Sequence, residues 1–98
     1  MEHITSYILN HSKPTGKARM PVTGKQIADA YGCNRIEVRR MINQARRNGE
    51  PICANTRGYF IAEDAEDVEA MIASLNNRIS AMTAARDGLR RYLLEQAG

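Results

Sequence analysis

The sequence predicts a mainly α-helical protein with a small β-hairpin (an α+β fold) and a long C-terminal helix of coiled-coil type. Three observations predict this fold. Two short amphipathic segments within residues 22–51 flank a glycine, two β-like runs follow around a second glycine, and apolar residues then recur at heptad spacing. We expect two domains, residues 1–62 and residues 63–98.

Length and composition limit the class of protein. The chain has 98 residues, of which 43% are hydrophobic, enough for one modest core with an appended helix. No apolar run approaches the ~20 residues of a membrane span, and no signal-peptide pattern opens the chain. We therefore expect a cytoplasmic protein that does not enter a membrane. Cys33 and Cys53 stand in apolar contexts, which favours buried thiols over a disulfide or a metal site.

Positive charge is concentrated in the first part of the chain. Residues 1–58 hold ten Lys/Arg against four Asp/Glu, whereas residues 59–98 hold four arginines against seven acids. Such an asymmetry is typical of a nucleic-acid-binding surface. We expect the acidic half to point away from DNA.

The first segment, residues 2–11, has apolar residues at helical spacing and predicts a helix that packs on the core. His3 and His11 have no metal-ligand partners at readable spacing, so they are expected in solvent or at helix ends. A basic loop is expected over residues 12–19, because its proline and glycine interrupt a helix. Two interpretations of this loop stay open. Either Lys13, Lys17 and Arg19 contact phosphates, or the loop is a solvated linker.

Residues 22–33 predict the first half of a helix-turn-helix, entered by a short strand at residues 20–22. Thr23 is the expected N-cap of a helix over Gly24–Tyr31. Ala28 is small enough for a close helix crossing, and Gly32 can take the left-handed conformation that a sharp turn needs. The other expected apolar contacts of the unit are Ile27, Tyr31, Cys33, Val38 and Met41. The alternative is an ordinary helical hairpin of a small bundle, which does not explain Gly32 or the arginines that follow.

The second helix is predicted over residues 35–48, with Asn34 as N-cap and Asn48–Gly49 as its C-terminal end. Its expected buried face has the spacing i, i+3, i+4, i+7 and consists of Val38, Met41, Ile42 and Ala45. Its opposite face is rich in arginine and consists of Arg35, Arg39, Arg40, Asn43, Arg46 and Arg47. We expect Arg46 and Arg47, which lie furthest along, to meet phosphate or Glu50 rather than a base.

A β-hairpin is predicted directly after this helix. The runs Ile52–Asn55 and Tyr59–Ala62 flank the turn Thr56-Arg57-Gly58. A hairpin in this position is the wing of a winged helix. Arg57 at its tip suits a phosphate or a minor groove.

From Asp64 onward the pattern is helical, with acids in the first turns that favour the helix dipole. A heptad seam follows, interrupted by Arg86 and weakened by Gly88. The residues predicted to mediate dimerisation through it are Val68, Ile72, Leu75, Ile79, Met82, Leu89 and Leu93. The alternative is a single amphipathic helix that packs back on its own domain. Because the predicted helix is longer than so small a domain, packing back would leave its outer apolar residues exposed. We therefore expect self-association into a homodimer.

The stretch TGKQIADAYGCNRIEVRRMINQARRNGEPICANTRGYFIA resembles the winged-helix DNA-binding domain of bifunctional biotin–protein ligase repressors. It is still more similar to the small winged helix-turn-helix proteins of phages and prophages. The likeness covers roughly residues 4–62 and implies a recognition helix, residues 34–48, in the major groove and a wing, residues 52–62, on the backbone. The residues it implies at DNA are Lys25, Asn34, Arg35, Arg39, Arg40, Asn43 and Arg57. The sequence shows no ligase domain after the winged-helix stretch, so neither biotin chemistry nor any cofactor is expected.

The predicted function is sequence-specific binding of double-stranded DNA by a dimeric phage or prophage transcriptional regulator, in the cytoplasm of a bacterial or phage-infected cell. The alternative is a winged-helix adaptor in phage DNA replication, or a protein-interaction module, whose coiled coil docks a phage or host protein. An enzyme is not expected. The sequence shows no catalytic residues at readable spacing and no phosphate-binding glycine loop.

Overall fold

The computed structural model describes residues 2–15 and 18–97, and for residues 13–15 and 18–19 it describes the backbone alone. The described part of the chain is mainly helical, with a small antiparallel hairpin and a long C-terminal helix, which confirms the coarse prediction. It forms two compact units, Met1–Val68 and Glu69–Gly98. The elements in chain order are α1 (Ile4–His11), β1 (Lys13–Thr15), β2 (Ala18–Met20), α2 (Gly24–Tyr31), α3 (Arg35–Arg47), β3 (Ile52–Asn55), β4 (Gly58–Ile61) and α4 (Ala65–Ala97).

The first unit is built around one hydrophobic core to which α1, α2, α3 and β3 all contribute. The predicted interior of the helix pair is largely confirmed, although Met41 is only half-buried, as are Tyr31 and Cys33. Burial of such side chains is the main source of stability in a domain of this size. The buried core residues are Ile4, Ile8, Val22, Ile27, Ala28, Val38, Ile42, Ala45 and Ile52.

The junction between α2 and α3 follows the predicted local chemistry. Thr23 forms a capping box with Gln26, its hydroxyl accepting from the Gln26 N–H at 3.0 Å. Gly32 ends α2 at φ +64°, the left-handed conformation predicted for it. The Asn34 side-chain oxygen then accepts from the Glu37 N–H at 2.9 Å and starts α3. Local hydrogen bonds therefore define where each helix begins.

The end of α3 leads directly into the second hairpin. The N–H of Asn48 donates to carbonyls of the last turn, and Gly49 takes φ +83°, as expected at a helix C-terminus. The Arg46 Nε–H donates to the Ile52 carbonyl at 2.8 Å and ties α3 to β3. Arg46 therefore has a structural contact that the sequence did not suggest.

The hairpin β3–β4 is antiparallel, with Ile52 opposite Ile61 and Asn55 opposite Gly58. An isolated bridge adds Val22 beside Tyr59, through two N–H···O bonds of 2.8 Å. Gly58 has φ +153°, and a Cβ on it would lie 2.4 Å from the Val22 carbonyl oxygen. Only glycine fits there. The segment before α2 and the hairpin after α3 are thus fastened together.

The expected loop at residues 12–19 was wrong. Its backbone forms β1 and β2, which pair antiparallel with Lys13 opposite Met20 and Thr15 opposite Ala18. Met20 therefore belongs to this first hairpin, and Val22 alone of the predicted short strand pairs with β4. Lys17 lies outside the described residues, as do the side chains of Lys13 and Arg19, and the contacts predicted for them fall in this part of the chain.

The helix α4 has 33 residues and begins one residue after the predicted start. Asp64 caps it, because its Oδ1 accepts from the Asp67 N–H at 2.9 Å, while the Asp67 carboxylate accepts from the Glu63 N–H at 3.0 Å. Glu66 and Asp67 place negative charge in the first turn. Within the described residues, no helix has both the length and the hydrophobicity that a membrane span requires.

Candidate nucleic-acid interface

The exposed side of α3 carries four of the seven predicted DNA-binding residues, Arg35, Arg39, Arg40 and Asn43, and its centre is an outward face of four residues. With 3.6 residues per turn, Ile36, Arg40, Asn43 and Arg47 fall within a sector of about 60°. All four are exposed. The buried stripe of α3, which includes Val38 and Ile42, lies on the opposite side of the helix. Packing of that stripe therefore determines which side chains α3 presents to solvent.

Arg35 and Arg39 lie on one flank of this sector, and both are exposed. A Cβ on Gly24 would lie 4.0 Å from the Arg35 Nε and 3.9 Å from the Tyr59 ring. The start of α2, the start of α3 and β4 therefore meet around Gly24. Lys25, the next residue along, is exposed at the same helix start. The structure thus brings Lys25 and Arg35 to the same region of the surface.

Asn34 is predicted both as a helix cap and as a DNA contact. Its side-chain oxygen is occupied by the capping bond to Glu37. The side-chain NH₂ of an asparagine remains a donor when its oxygen accepts. Asn34 can therefore still offer its NH₂ group as a donor to a phosphate or a base edge while its oxygen caps α3.

The tip of the second hairpin presents Arg57 to solvent. The Asn55 side-chain oxygen accepts from the backbone N–H of Arg57 at 2.8 Å and of Gly58 at 3.2 Å, which organises the turn. The Gly58–Val22 approach holds the turn end of β4 against the segment before α2. Arg57 is therefore an exposed cation on a turn whose backbone is held by hydrogen bonds.

The cations of this surface are not neutralised by neighbouring acids. Within residues 2–15 and 18–97, no acidic side chain forms an ion pair with Arg35, Arg39, Arg40 or Arg57. Glu37 is the sole acid of α3. Unpaired arginines on one surface produce the positive potential that attracts a polyanion.

Glu50 is engaged with α1. Its Oε1 lies 2.6 Å from the His3 Nε2. Polar interactions with the Thr5 side chain and with His3 lower the pKa of Glu50 below its ordinary value. The carboxylate thus helps to fasten the end of α3 to the start of α1.

A second polar contact fastens α1 to α2. The Tyr31 hydroxyl donates to the Glu2 carbonyl oxygen. Partial burial, with the nearby Glu2 carboxylate, raises the pKa of Tyr31 above its ordinary value. The Tyr31 ring also meets the Tyr7 ring edge-to-face, with centroids 5.5 Å apart. Both contacts support the scaffold rather than the cationic surface.

Sequence reasoning missed Ile36. Its side chain is 58% exposed at the centre of the outward face, among arginines. The available signal was its phase, because Ile36 falls outside the i, i+3, i+4, i+7 pattern of the buried stripe. An exposed apolar side chain on such a face can contact a thymine methyl group.

The predicted dimerisation residues fall on one stripe of α4. Val68 and Leu75 are half-buried, whereas the other five, Ile72, Ile79, Met82, Leu89 and Leu93, are 51–73% exposed. Exposed apolar side chains in a row on one helix face indicate an interaction surface. Elsewhere in the described chain, no three His, Cys, Asp or Glu side chains are grouped as a metal site would require.

Comparison of the chain with models of known protein families, with curated proteins and with solved structures gave no match. The resemblance to the winged-helix domains therefore stays a prediction, and the function is argued from the geometry above.

Proposed function

We propose that the first unit is a winged helix-turn-helix that binds double-stranded DNA sequence-specifically, with α3 as the recognition helix and β3–β4 as the wing. The order of elements supports this. A segment at Val22 bridges to the hairpin, two capped helices follow with a left-handed glycine between them, and the hairpin comes directly after the second helix.

The observation that carries the proposal is the outward face of α3. It offers Arg40 and Asn43, flanked by Arg39, on a helix that projects its polar side to solvent, and neither arginine forms an ion pair within the described part of the chain. An α-helix of this kind fits the major groove of B-DNA. A solvated structural face would not need this concentration of unpaired arginines.

Affinity and specificity come from different side chains in this mechanism. Lys25, Arg47 and Arg57, at the borders of the surface, neutralise phosphates and release counterions. Arg39 and Arg40 are shaped to donate to guanine O6 and N7, and Asn43 to pair with adenine, at about 1–3 kcal/mol of discrimination each. Ile36 adds an apolar contact to a thymine methyl group.

We further propose that α4 joins two chains, so that two recognition helices meet a palindromic site with half-sites about one helical turn apart. The exposed apolar stripe of α4 supports this part of the proposal. A single unit with few cationic contacts binds weakly, whereas two linked units gain from effective concentration. Together with the resemblance, these features favour a cytoplasmic transcriptional regulator of phage or prophage type.

The test is fluorescence anisotropy of labelled duplex DNA with the wild type and two double variants. R39A/R40A removes two cations from the outward face, and R78A/R91A removes the same charge from α4. We expect R39A/R40A to lose all preference for the cognate site while keeping the wild-type circular dichroism spectrum. R78A/R91A should retain that preference.

Retained site preference in R39A/R40A would overturn the proposal for α3. Weak binding without sequence preference in the wild type, together with a tight complex with a phage or host protein, would favour the adaptor function instead. The exposed stripe on α4 is the surface that such a partner would use.

A further inference from the structure

The two ends of α4 differ in charge, because acidic residues are concentrated near its start and arginines near its end. Residues 63–77 hold five acids and no Lys or Arg, whereas residues 78–98 hold four arginines and two acids. Two such helices side by side in parallel place the acidic ends together. In antiparallel orientation each acidic end lies beside a basic end.

We propose that α4 pairs with α4 of a second copy of this chain in antiparallel orientation. This inference rests on the α4-mediated dimer proposed above and adds its orientation and register. The partner that covers the stripe is a second copy of this chain. We choose this partner because the acidic and basic ends of α4 match those of a second α4 in the reverse direction.

The stripe pairs with itself in one continuous register. In an antiparallel coiled coil each a position shares a layer with a d position of the other helix. Alignment centred between residues 80 and 81 places Ile72 opposite Leu89 of the second copy, and Ile79 opposite Met82 of the second copy. All four side chains are more than half exposed in the single chain. In the same register the half-buried Leu75 meets Arg86 of the second copy in the layer next to Ile79–Met82, and the half-buried Val68 meets Leu93 of the second copy in the outermost layer.

Arg86 opposes the parallel alternative. It occupies an a position, so a parallel pair would place two Arg86 side chains in the same layer, where like charges repel. In the antiparallel register Arg86 faces Leu75 of the second copy. Its guanidinium already bonds Asp87 Oδ1 through Nε and Nη2 at 3.1 and 3.0 Å, so the charge can stay at the edge while the stem packs.

The charged residues that flank the apolar stripe also favour the antiparallel orientation. Glu69 and Arg90 both occupy e positions, which face each other in antiparallel coils. The register brings Glu69 beside Arg90 of the second copy, twice by symmetry. Arg90 lies 4.0 Å from Asp87 within its own chain, a long and exposed contact that leaves the guanidinium able to bind a second carboxylate. In a parallel pair, Arg90 would instead flank Ala85.

The first experiment is disulfide cross-linking between single-cysteine substitutions on the stripe, I72C and L89C, with the wild type as the control for Cys33 and Cys53. We expect efficient cross-linking when the two variants are mixed, and little when either is oxidised alone, because the antiparallel layer joins residue 72 to residue 89. Efficient cross-linking of I72C with itself and of L89C with itself would overturn the orientation.

A second experiment leaves the apolar layers intact. Sedimentation equilibrium of E69R and of R90E should show a dimer dissociation constant raised about two- to fivefold for each single variant, and restored in E69R/R90E. A double variant that is weaker than both single variants would contradict the pairing.

These experiments separate the orientation from the rest of the proposed function. A wild type that is monomeric at all concentrations overturns the dimer and its orientation together, while DNA binding by anisotropy is judged separately. A dimer with the parallel cross-linking pattern overturns the orientation alone.

Discussion

The helices α3 and α4 use apolar residues in opposite ways. α3 has 13 residues and buries three of them, Val38, Ile42 and Ala45, in the core of its own unit. α4 has 33 residues, all of them described, and Met71 is the one buried residue among them. Internal packing determines the outward face of α3, whereas most of the apolar stripe of α4 is exposed in the single chain. The proposed function assigns DNA to the first surface and a second copy of the chain to the other.

The largest expected difference between the two regions is in the response to deletion of an isoleucine side chain. Ile27→Ala removes a fully buried side chain beside α3 and should cost about 2–5 kcal/mol of unfolding free energy at any protein concentration. Ile79→Ala removes a side chain that is exposed in the single chain, so its cost should appear only at concentrations where dimers form. Urea unfolding at two protein concentrations measures both. A concentration-independent loss in Ile79→Ala would contradict the comparison.

Two glycines should respond with opposite signs. Gly58→Ala forces a Cβ within 2.4 Å of the Val22 carbonyl at positive φ, so we expect a loss of about 2–4 kcal/mol. Gly88→Ala in α4 meets only Arg91 Nη2 at 3.7 Å, an ordinary contact, and should stabilise the helix by roughly 0.5–1 kcal/mol. Thermal unfolding of the two variants measures both changes in stability. A stable Gly58→Ala variant would mean that the hairpin is not held against Val22.

Local chemistry made much of the fold predictable from the sequence. Thr23, Gly32 and Asn34 define the limits of α2 and α3 through hydrogen bonds and backbone conformations within a few residues. The position of the second hairpin was also predictable, although Gly58 belongs to β4 rather than to the turn. Its real constraint, the approach to Val22, joins residues far apart in the chain.

The contacts that the sequence did not predict join residues far apart in the chain, or depend on the position of a residue around the axis of its helix. The Arg46–Ile52 bond depends on how β3 turns back beside α3, which no local pattern encodes. The first hairpin, over Lys13–Thr15 and Ala18–Met20, was hidden by a proline and glycine that suggest a loop. Ile36 lies out of phase with the buried stripe of α3, so the pattern of core residues does not point to it. The DNA-binding and dimerisation roles themselves stay predictions.

Asn34 and Asn43 allow a smaller test of which side chains support α3 and which contact DNA. Asn34→Ala removes the cap and should cost about 1 kcal/mol of stability. Asn43→Ala, at an exposed position within α3, should change stability by less than about 0.5 kcal/mol while reducing discrimination at one base pair. Chemical unfolding and anisotropy with single-base variants of the site measure the two effects. Equal stability losses would show that Asn43 is structural.

The smallest expected effect is the acid sensitivity contributed by Glu50. Because the folded-state pKa of Glu50 is lowered, mainly by polar interactions with Thr5 and His3, its contribution to stability is present above the ordinary glutamate pKa. It is lost as the pH falls through the lower, folded-state value. Glu50→Gln should therefore flatten the dependence of unfolding free energy on pH in this acidic range. Urea unfolding from pH 6 downward checks the slope, and an unchanged slope would contradict the assignment.

The central claim is that the outward face of α3 reads a DNA sequence. The most direct measurement is anisotropy of the wild type with the intergenic DNA beside its own gene and with a random-sequence pool, at low and moderate salt. We predict salt-sensitive binding to both, a clear preference for the native DNA that persists at moderate salt, and a salt slope that counts the neutralised phosphates. No binding at low salt, or equal affinity for both DNAs at every salt concentration, would contradict the claim.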